Sequence, residues 1–337
     1  MKSAGTKVKS NATIDWLTFT VRMQENPQAV IKDWLRMDPN LFTLQAWGKF
    51  GYTQSMYFDG IFVFFDAPEG RKMEMGVCVS MSGVGCRTFE KFTSWKADKS
   101  FTPFMSFFQA AHINEYVHFT RVDLALDDKD RLLDLDKIID CVDTDCINSR
   151  IRSRTYYRTY EGQGRAGTTV YIGAPASDFR IRFYDKAKEH YKPSDAEYFM
   201  HWVRCEIVMR GKNADGCIAA LCNTENLGFL ACCILKDKLS FIERDDSNIS
   251  RCTVCSWWAD FCGAVAGIRL VTKEDVPHTL ERSLEWVITQ VAPTLSLIND
   301  AKGFFELRHI LDIGTEKRSV KQAALLEDYL KSQIIDK

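Results

Sequence analysis

The stretch Phe179-Arg-Ile-Arg-Phe-Tyr-Asp185 alternates apolar and polar residues along nearly its whole length. A β-strand sends successive side chains to opposite faces. Phe179, Ile181 and Phe183 therefore share one face, and Arg180, Arg182 and Tyr184 share the other. Two other segments read the same way. In 119–127, Val122, Leu124 and Leu126 oppose Arg121, Asp123 and Asp127; in 202–210, Val203, Cys205, Ile207 and Met209 oppose Arg204, Glu206, Val208 and Arg210. If the three strands share a sheet with their polar faces aligned, carboxylates, guanidinium groups and one phenol converge. That set suits phosphoryl transfer: hard carboxylate oxygens take Mg2+ or Mn2+, arginines and metal stabilise charge building on phosphate, and a tyrosine can store a strand end covalently. The competing reading is a solvated sheet face whose charges pair across strands for little energy.

Outward from these strands, period-two runs also occur at 14–21, 56–65, 73–81, 154–160 and 168–172, and helical spacing at 27–37, 87–97, 103–114, 134–147 and 185–192. Beyond residue 211 helical periodicity dominates, over 213–224, 252–268, 277–291 and 316–334. The expected fold is α+β: a largely antiparallel central sheet flanked by helices, with an α-rich C-terminal portion. The expected division is a sheet-centred catalytic and DNA-binding part, 1–211, followed by 212–337, across a soft boundary that no Pro/Gly/Ser linker marks.

The chain's formal net charge is −1, so its overall charge gives no reason to bind DNA. Its distribution does. Residues 150–189 carry nine basic side chains against four acidic ones, and most of the nine are arginine, whose planar fork suits phosphate oxygens. Arg150, Arg152, Arg154, Arg158, Arg180 and Arg210 are the expected DNA contacts. Twelve cysteines and a start without a signal-peptide apolar run point to reduced, buried thiols in a soluble cytoplasmic protein. Cys252-x-x-Cys255 has no second such pair in phase for zinc. Ser82-Gly-Val-Gly85 lacks the Lys-Ser/Thr of a nucleotide loop, so no ATP use is expected. Trp257-Trp258 could stack on unpaired bases, but core packing fits its apolar run better.

The chain resembles the replication initiation factor family of rolling-circle plasmids, which also contains relaxases of integrative conjugative elements and related phage initiators. The matching pieces are Ile14-Asp-Trp-Leu-Thr-Phe-Thr20, Met81-Ser-Gly-Val-Gly-Cys-Arg87, Arg121-Val-Asp-Leu-Ala-Leu-Asp127, Thr169-Val-Tyr-Ile-Gly173, Arg180-Ile-Arg-Phe-Tyr-Asp-Lys186, Arg204-Cys-Glu-Ile-Val-Met-Arg210, Thr279-Leu-Glu-Arg-Ser-Leu-Glu-Trp286 and Gln290-Val-Ala-Pro293. They occur in the family's order. The resemblance implies nicking of one strand at an origin, a 5′-phosphotyrosine link, a free 3′ OH and later rejoining. It implies Tyr184 as nucleophile with Tyr171 as rival (Tyr156 and Tyr157 behind), Asp123 and Glu206 with Asp127 as ligands of Mg2+ or Mn2+, and Arg182, Lys186 and Arg204 on the scissile phosphate. None of the six histidines forms the pair, one residue apart, that binds metal in many other rolling-circle enzymes. The implied partners are origin DNA, double-stranded or extruded as a single strand, and a host helicase; a homodimer is compatible, and no membrane is involved. Two alternatives stay open: a non-enzymatic origin-binding protein, and a metal nuclease that uses water.

Overall fold

The computed structural model describes residues 11–95, 103–161, 164–224, 226–263, 284, 287–318, 326–327 and 329–330. The chain forms two compact units, Met1–Thr272 and Lys273–Lys337.

The first unit is built on a ten-stranded sheet. Its strands are β1 (Asn11–Val21), β2 (Thr43–Gln45), β3 (Gln54–Phe58), β4 (Ile61–Phe65), β5 (Val77–Met81), β6 (Val117–Asp128), β8 (Arg154–Glu161), β9 (Gly164–Ile172), β10 (Phe179–Asp185) and β11 (Val203–Arg210), while β7 (Ile147–Asn148) pairs separately with β12 (Ser240–Phe241). The spatial order is β2-β3-β4-β5-β1-β6-β11-β10-β9-β8, and every neighbouring pair is antiparallel. The fold is thus the expected α+β class, with helices packed on the sheet.

One face of the sheet is dry. Leu17, Phe19, Val79, Val63, Val122, Leu124, Ile181, Phe183, Cys205 and Ile207 are buried there in one continuous core. Short helices α1 (Pro27–Val30) and α2 (Lys72–Met75) lie in connections. The longer ones are α3 (Gly83–Phe92), α4 (Pro103–His112), α5 (Leu135–Asp143), α6 (Lys186–His190), α7 (Lys212–Thr224), α8 (Leu227–Lys238) and α9 (Ser256–Cys262). Phe107 and Phe108 of α4 pack on Phe19 and Phe119 with ring centroids 5.0–6.0 Å apart. The helices after residue 211 do not start a new unit: α7 packs on β6 and β11, and α8 on β1 and β6. The two compact units divide between Thr272 and Lys273.

Local departures from the sequence reading have physical causes. The run 56–65 is a hairpin, turned at Asp59-Gly60, where both residues have positive φ (35° and 84°); Asp-Gly suits such a two-residue turn. Residues 72–75 are a helical turn before β5. Helix α8 was missed because it is apolar nearly all round: Leu230 to Leu235 are all buried, so it shows no amphipathic stripe. In the second unit, helices Ala292–Lys302 and Phe304–Glu316 replace an interval with no expected helix. Much of 252–268, 277–291 and 316–334 lies outside the described residues. No helix among the described residues is long and apolar enough to cross a membrane. All twelve cysteines are free thiols, and Trp258 is buried against Phe183 and Phe241 in the core.

Candidate active site

The polar face of the sheet's centre gathers the charged side chains and Tyr184. Strands β6, β11 and β10 lie side by side, and their register sets the polar residues in rows. Asp127 pairs with Arg204, which pairs with Tyr184; Ala125 pairs with Glu206, which pairs with Arg182; Arg121 pairs with Arg210. Directly opposed residues share a face. On the outer side of β10, Tyr171 of β9 is opposite Arg182.

Glu206 is the centre of this arrangement. It is 4% exposed. Its Oε2 accepts from Arg182 Nη2 at 2.6 Å and from Tyr184 Oη at 3.3 Å. Burial, then the Glu206 carboxylate, pushes the Tyr184 phenol above its ordinary pKa, while Arg182 and Arg204 pull it down. The Arg182 guanidinium lies 4.3 Å from the Tyr184 ring centroid. Asp123, 1% exposed, holds the fork of Arg121 at 2.9 and 2.5 Å. Burial raises Asp123 to about 6; Arg121 opposes the rise and the nearby Glu206 adds to it.

Asp127 sits in a different environment. Arg204 donates Nε and Nη2 to its two oxygens at 2.7 and 2.9 Å, and Trp202 Nε1 donates at 2.8 Å. Arg204 uses its third nitrogen on Asp15 Oδ1 at 2.8 Å. Asp15 was not singled out as a site residue from sequence. It sits where the β1–β6 register shifts, between Ile14 and Trp16, and such an extra residue re-aims a side chain. The clue was present in Ile14-Asp-Trp16, but alternation alone does not reveal a bulge.

The first residues of α3 border the same cavity. Ser82 caps the helix by accepting from Gly85 N–H. A Cβ on Gly83 would come within 3.1 Å of Asp15 Oδ1, and one on Gly85 would meet the Gly60 carbonyl oxygen at 2.2 Å. The glycines of Ser82-Gly-Val-Gly85 thus let the helix start approach the β3–β4 turn and Asp15. Arg87, also unforeseen as a site residue, donates to the Ile14 carbonyl at 2.7 Å and lines the cavity. The cavity measures about 620 Å³ and includes Trp16, Asp123, Tyr171, Arg182, Lys186 and Glu206 in its wall.

The remaining predicted residues divide cleanly. Arg180 reaches the cavity, its guanidinium 3.7 Å from the Tyr171 ring centroid, and Arg210 lines it while donating to the Ser177 carbonyl at 2.8 Å. Lys186 lines it too, paired with Glu189. Arg154 and Arg158 do not come to the site. They have the opposite phase on β8 from Thr155, which faces Tyr171 across the ladder. Arg154 bonds Asp145 at 2.5 Å and Arg158 bonds Asp136 at 3.0 Å, at and beyond the ends of α5. Arg150 and Arg152 are exposed in the segment before β8 and outside the cavity wall.

Comparison with known proteins follows this geometry. Residues 117–313 match the family described as Replication initiation factor, and residues 11–109 match the Rolling Circle replication initiation protein N-terminal domain. The Putative DNA relaxase NicK of Bacillus subtilis (strain 168) is 27% identical over 314 residues, 91% of this chain and 86% of that protein. A rolling-circle replication initiator protein from Geobacillus stearothermophilus superposes with a TM-score of 0.66 at 26% identity, covering 78% of this chain and 99% of that one. The chain belongs to the replication initiation factor family of rolling-circle initiators and relaxases.

Proposed function

We propose that this protein nicks one strand of origin DNA by transesterification onto Tyr184 and later rejoins it. The observation that carries the reading is the shared oxygen: Tyr184 Oη and Arg182 Nη2 both bond Glu206 Oε2, at 3.3 and 2.6 Å. A phenol, a phosphate-binding guanidinium and a proton acceptor thus meet at one atom. In the forward step the Tyr184 oxygen bonds to phosphorus, the bond from phosphorus to the 3′ oxygen breaks, and that oxygen takes a proton to leave as a free 3′ OH. Glu206 Oε2, the phenol's hydrogen-bond acceptor, would receive the phenolic proton. Rejoining is the same exchange reversed.

Two features favour a phosphate ligand. The Nε atoms of Arg180 and Arg182 are buried donors with no protein partner, and such groups normally find one. Arg204, held by Asp127 and Asp15, supplies a fixed positive charge beside Tyr184. Lys186 adds a second cation, with Nζ 5.6 Å from the Tyr184 ring.

A divalent cation, Mg2+ or Mn2+, fits Asp123 and Glu206. Both are buried carboxylates, and their mutual repulsion helps raise Asp123. Among the described residues no group of three or more His, Cys, Asp or Glu side chains gathers to hold a metal ion. When bound, such an ion would neutralise these carboxylates and the charge on the phosphate. Asp127 is occupied by Arg204 and Trp202, so its role here is to hold the arginine.

Origin DNA is the substrate in this reading; a host helicase and a cytoplasmic setting accompany it. Tyr171 supports a second assignment of the nucleophile, because it lines the cavity while Tyr184 lies beneath Arg182. Pure protein, Mn2+ and supercoiled plasmid carrying the cognate origin should give nicked circles and a protein–DNA adduct. Nicked circles without any adduct would indicate attack by water. Binding without cleavage under either metal would reduce the protein to an origin binder.

A further inference from the structure

A second groove, also of about 620 Å³, opens on the same face of the sheet beside the catalytic cavity. Trp16, Arg121 and Arg210 line both. From there it runs across β1 and β5 toward Phe50 and Tyr52 of the β2–β3 loop. The register keeps the face continuous: Arg121 opposes Thr18, Thr18 opposes Ser80, and Ser80 opposes Phe62. Two strand spacings carry the groove roughly 10 Å from β6 to Cys78 of β5.

Phe50 and Tyr52 line its far end, where they pack against an aromatic cluster on β4. Phe62 and Phe64 stack with centroids 5.6 Å apart. The loop between β2 and β3 folds over them, with Trp47 5.5 Å from Phe62 and Phe50 5.5 Å from Phe64. Yet Trp47 is 43% and Phe50 62% exposed. Phe50 also has φ of +59°, a region costly for a bulky side chain. The backbone is thus strained to hold an aromatic ring outward. Nearer the cavity, the Arg121 guanidinium lies 4.3 Å from the Trp16 ring. The groove's lining includes Arg22, Arg71, Arg121 and Arg210 against one carboxylate, Glu74, which pairs with Arg71.

We propose that this groove holds the bases of single-stranded DNA flanking the scissile phosphate, stacked on Trp16 and Phe50 with Trp47 beyond them. The occupant is argued from continuity with the cavity and from charge: arginines match a phosphate backbone, and exposed rings match unpaired bases of any sequence. The proposal rests on the nicking reading for its neighbouring cavity. A duplex, whose bases are already stacked, has no use for these rings.

The test uses the full chain with EDTA and a fluorescein-labelled oligodeoxythymidine, read by anisotropy. Phe50→Ala and Trp47→Ala should each weaken binding by about fivefold or more, the low end for one stacked base, whereas Phe50→Tyr should bind as wild type. An oligonucleotide carrying 5-iododeoxyuridine should crosslink to Phe50 or Trp47. Unchanged affinity in both alanine variants, or crosslinks confined to other elements, would overturn the proposal. So would a loss of self-association in sedimentation with DNA binding intact, which would make the patch a protein interface. Failure of the nicking reading looks different: no adduct from wild type on a preformed single-stranded origin, whatever the alanine variants do.

Discussion

Two groups of arginines lie close in sequence and have opposite fates. Arg180, Arg182, Arg204 and Arg210 line the central cavity. Arg154 and Arg158 stand on the other phase of β8 and pair with acids around α5. The same residue type faces the cavity in one place and pairs with acids around a helix in the other. Strand phase, and not local charge density, decides which. The carboxylates differ by degree: Asp127 is held by both arginine and indole donors, while Asp123 and Glu206, held by Arg121 and Arg182, also repel each other.

The contrast can be broken experimentally at four points. The largest effect is expected for Arg204→Ala. It removes the arginine from both Asp127 and Asp15, leaving Asp127 only the Trp202 indole, and urea unfolding should show a loss of about 3–5 kcal/mol. Arg204→Lys should recover only part, because a point charge cannot reproduce the fork.

The next effect is a pH dependence. In metal-free protein the Asp123 carboxyl is raised to about 6, chiefly by burial. A carboxyl raised on folding stabilises the fold at low pH, and that contribution fades as pH rises through about 6. Between roughly pH 4 and 6 the unfolding free energy should lose about 3 kcal/mol from this group. The loss should disappear in Asp123→Asn, measured with a chelator present.

Glu206→Gln keeps the side chain's shape and removes its charge. Single-turnover nicking should fall by about a hundredfold or more, while circular dichroism stays unchanged. A rate within a factor of a few of wild type would remove Glu206 from the chemistry. The smallest effects separate the cavity arginines from those around α5. Arg180→Ala should reduce the salt dependence of DNA binding by about one contact. Arg154→Ala and Arg158→Ala should leave it flat, at a stability cost of about 1 kcal/mol or less.

Much of this was legible in the sequence. The alternation in 119–127, 179–184 and 202–210 placed Asp123, Glu206, Arg182 and Tyr184 on one face, because period two is a property of the backbone itself. What stayed hidden depends on longer-range geometry. Asp15 enters through a bulge that alternation cannot register. Arg87 and the start of α3 arrive by tertiary packing through Gly83 and Gly85. Helix α8 lacked a polar stripe to reveal it. The aromatic groove was invisible for a related reason: Trp47 and Phe50 lie in a loop, where no period applies.

The central claim is that the Tyr184 oxygen becomes bonded to DNA. The direct measurement is mass spectrometry of the protein–DNA adduct formed on an origin oligonucleotide with Mn2+, for wild type, Tyr184→Phe and Tyr171→Phe. The account predicts a nucleotidyl-modified peptide containing Tyr184 in wild type, its persistence in Tyr171→Phe and no adduct in Tyr184→Phe. An adduct that survives Tyr184→Phe, or maps to the peptide containing Tyr171, would contradict it.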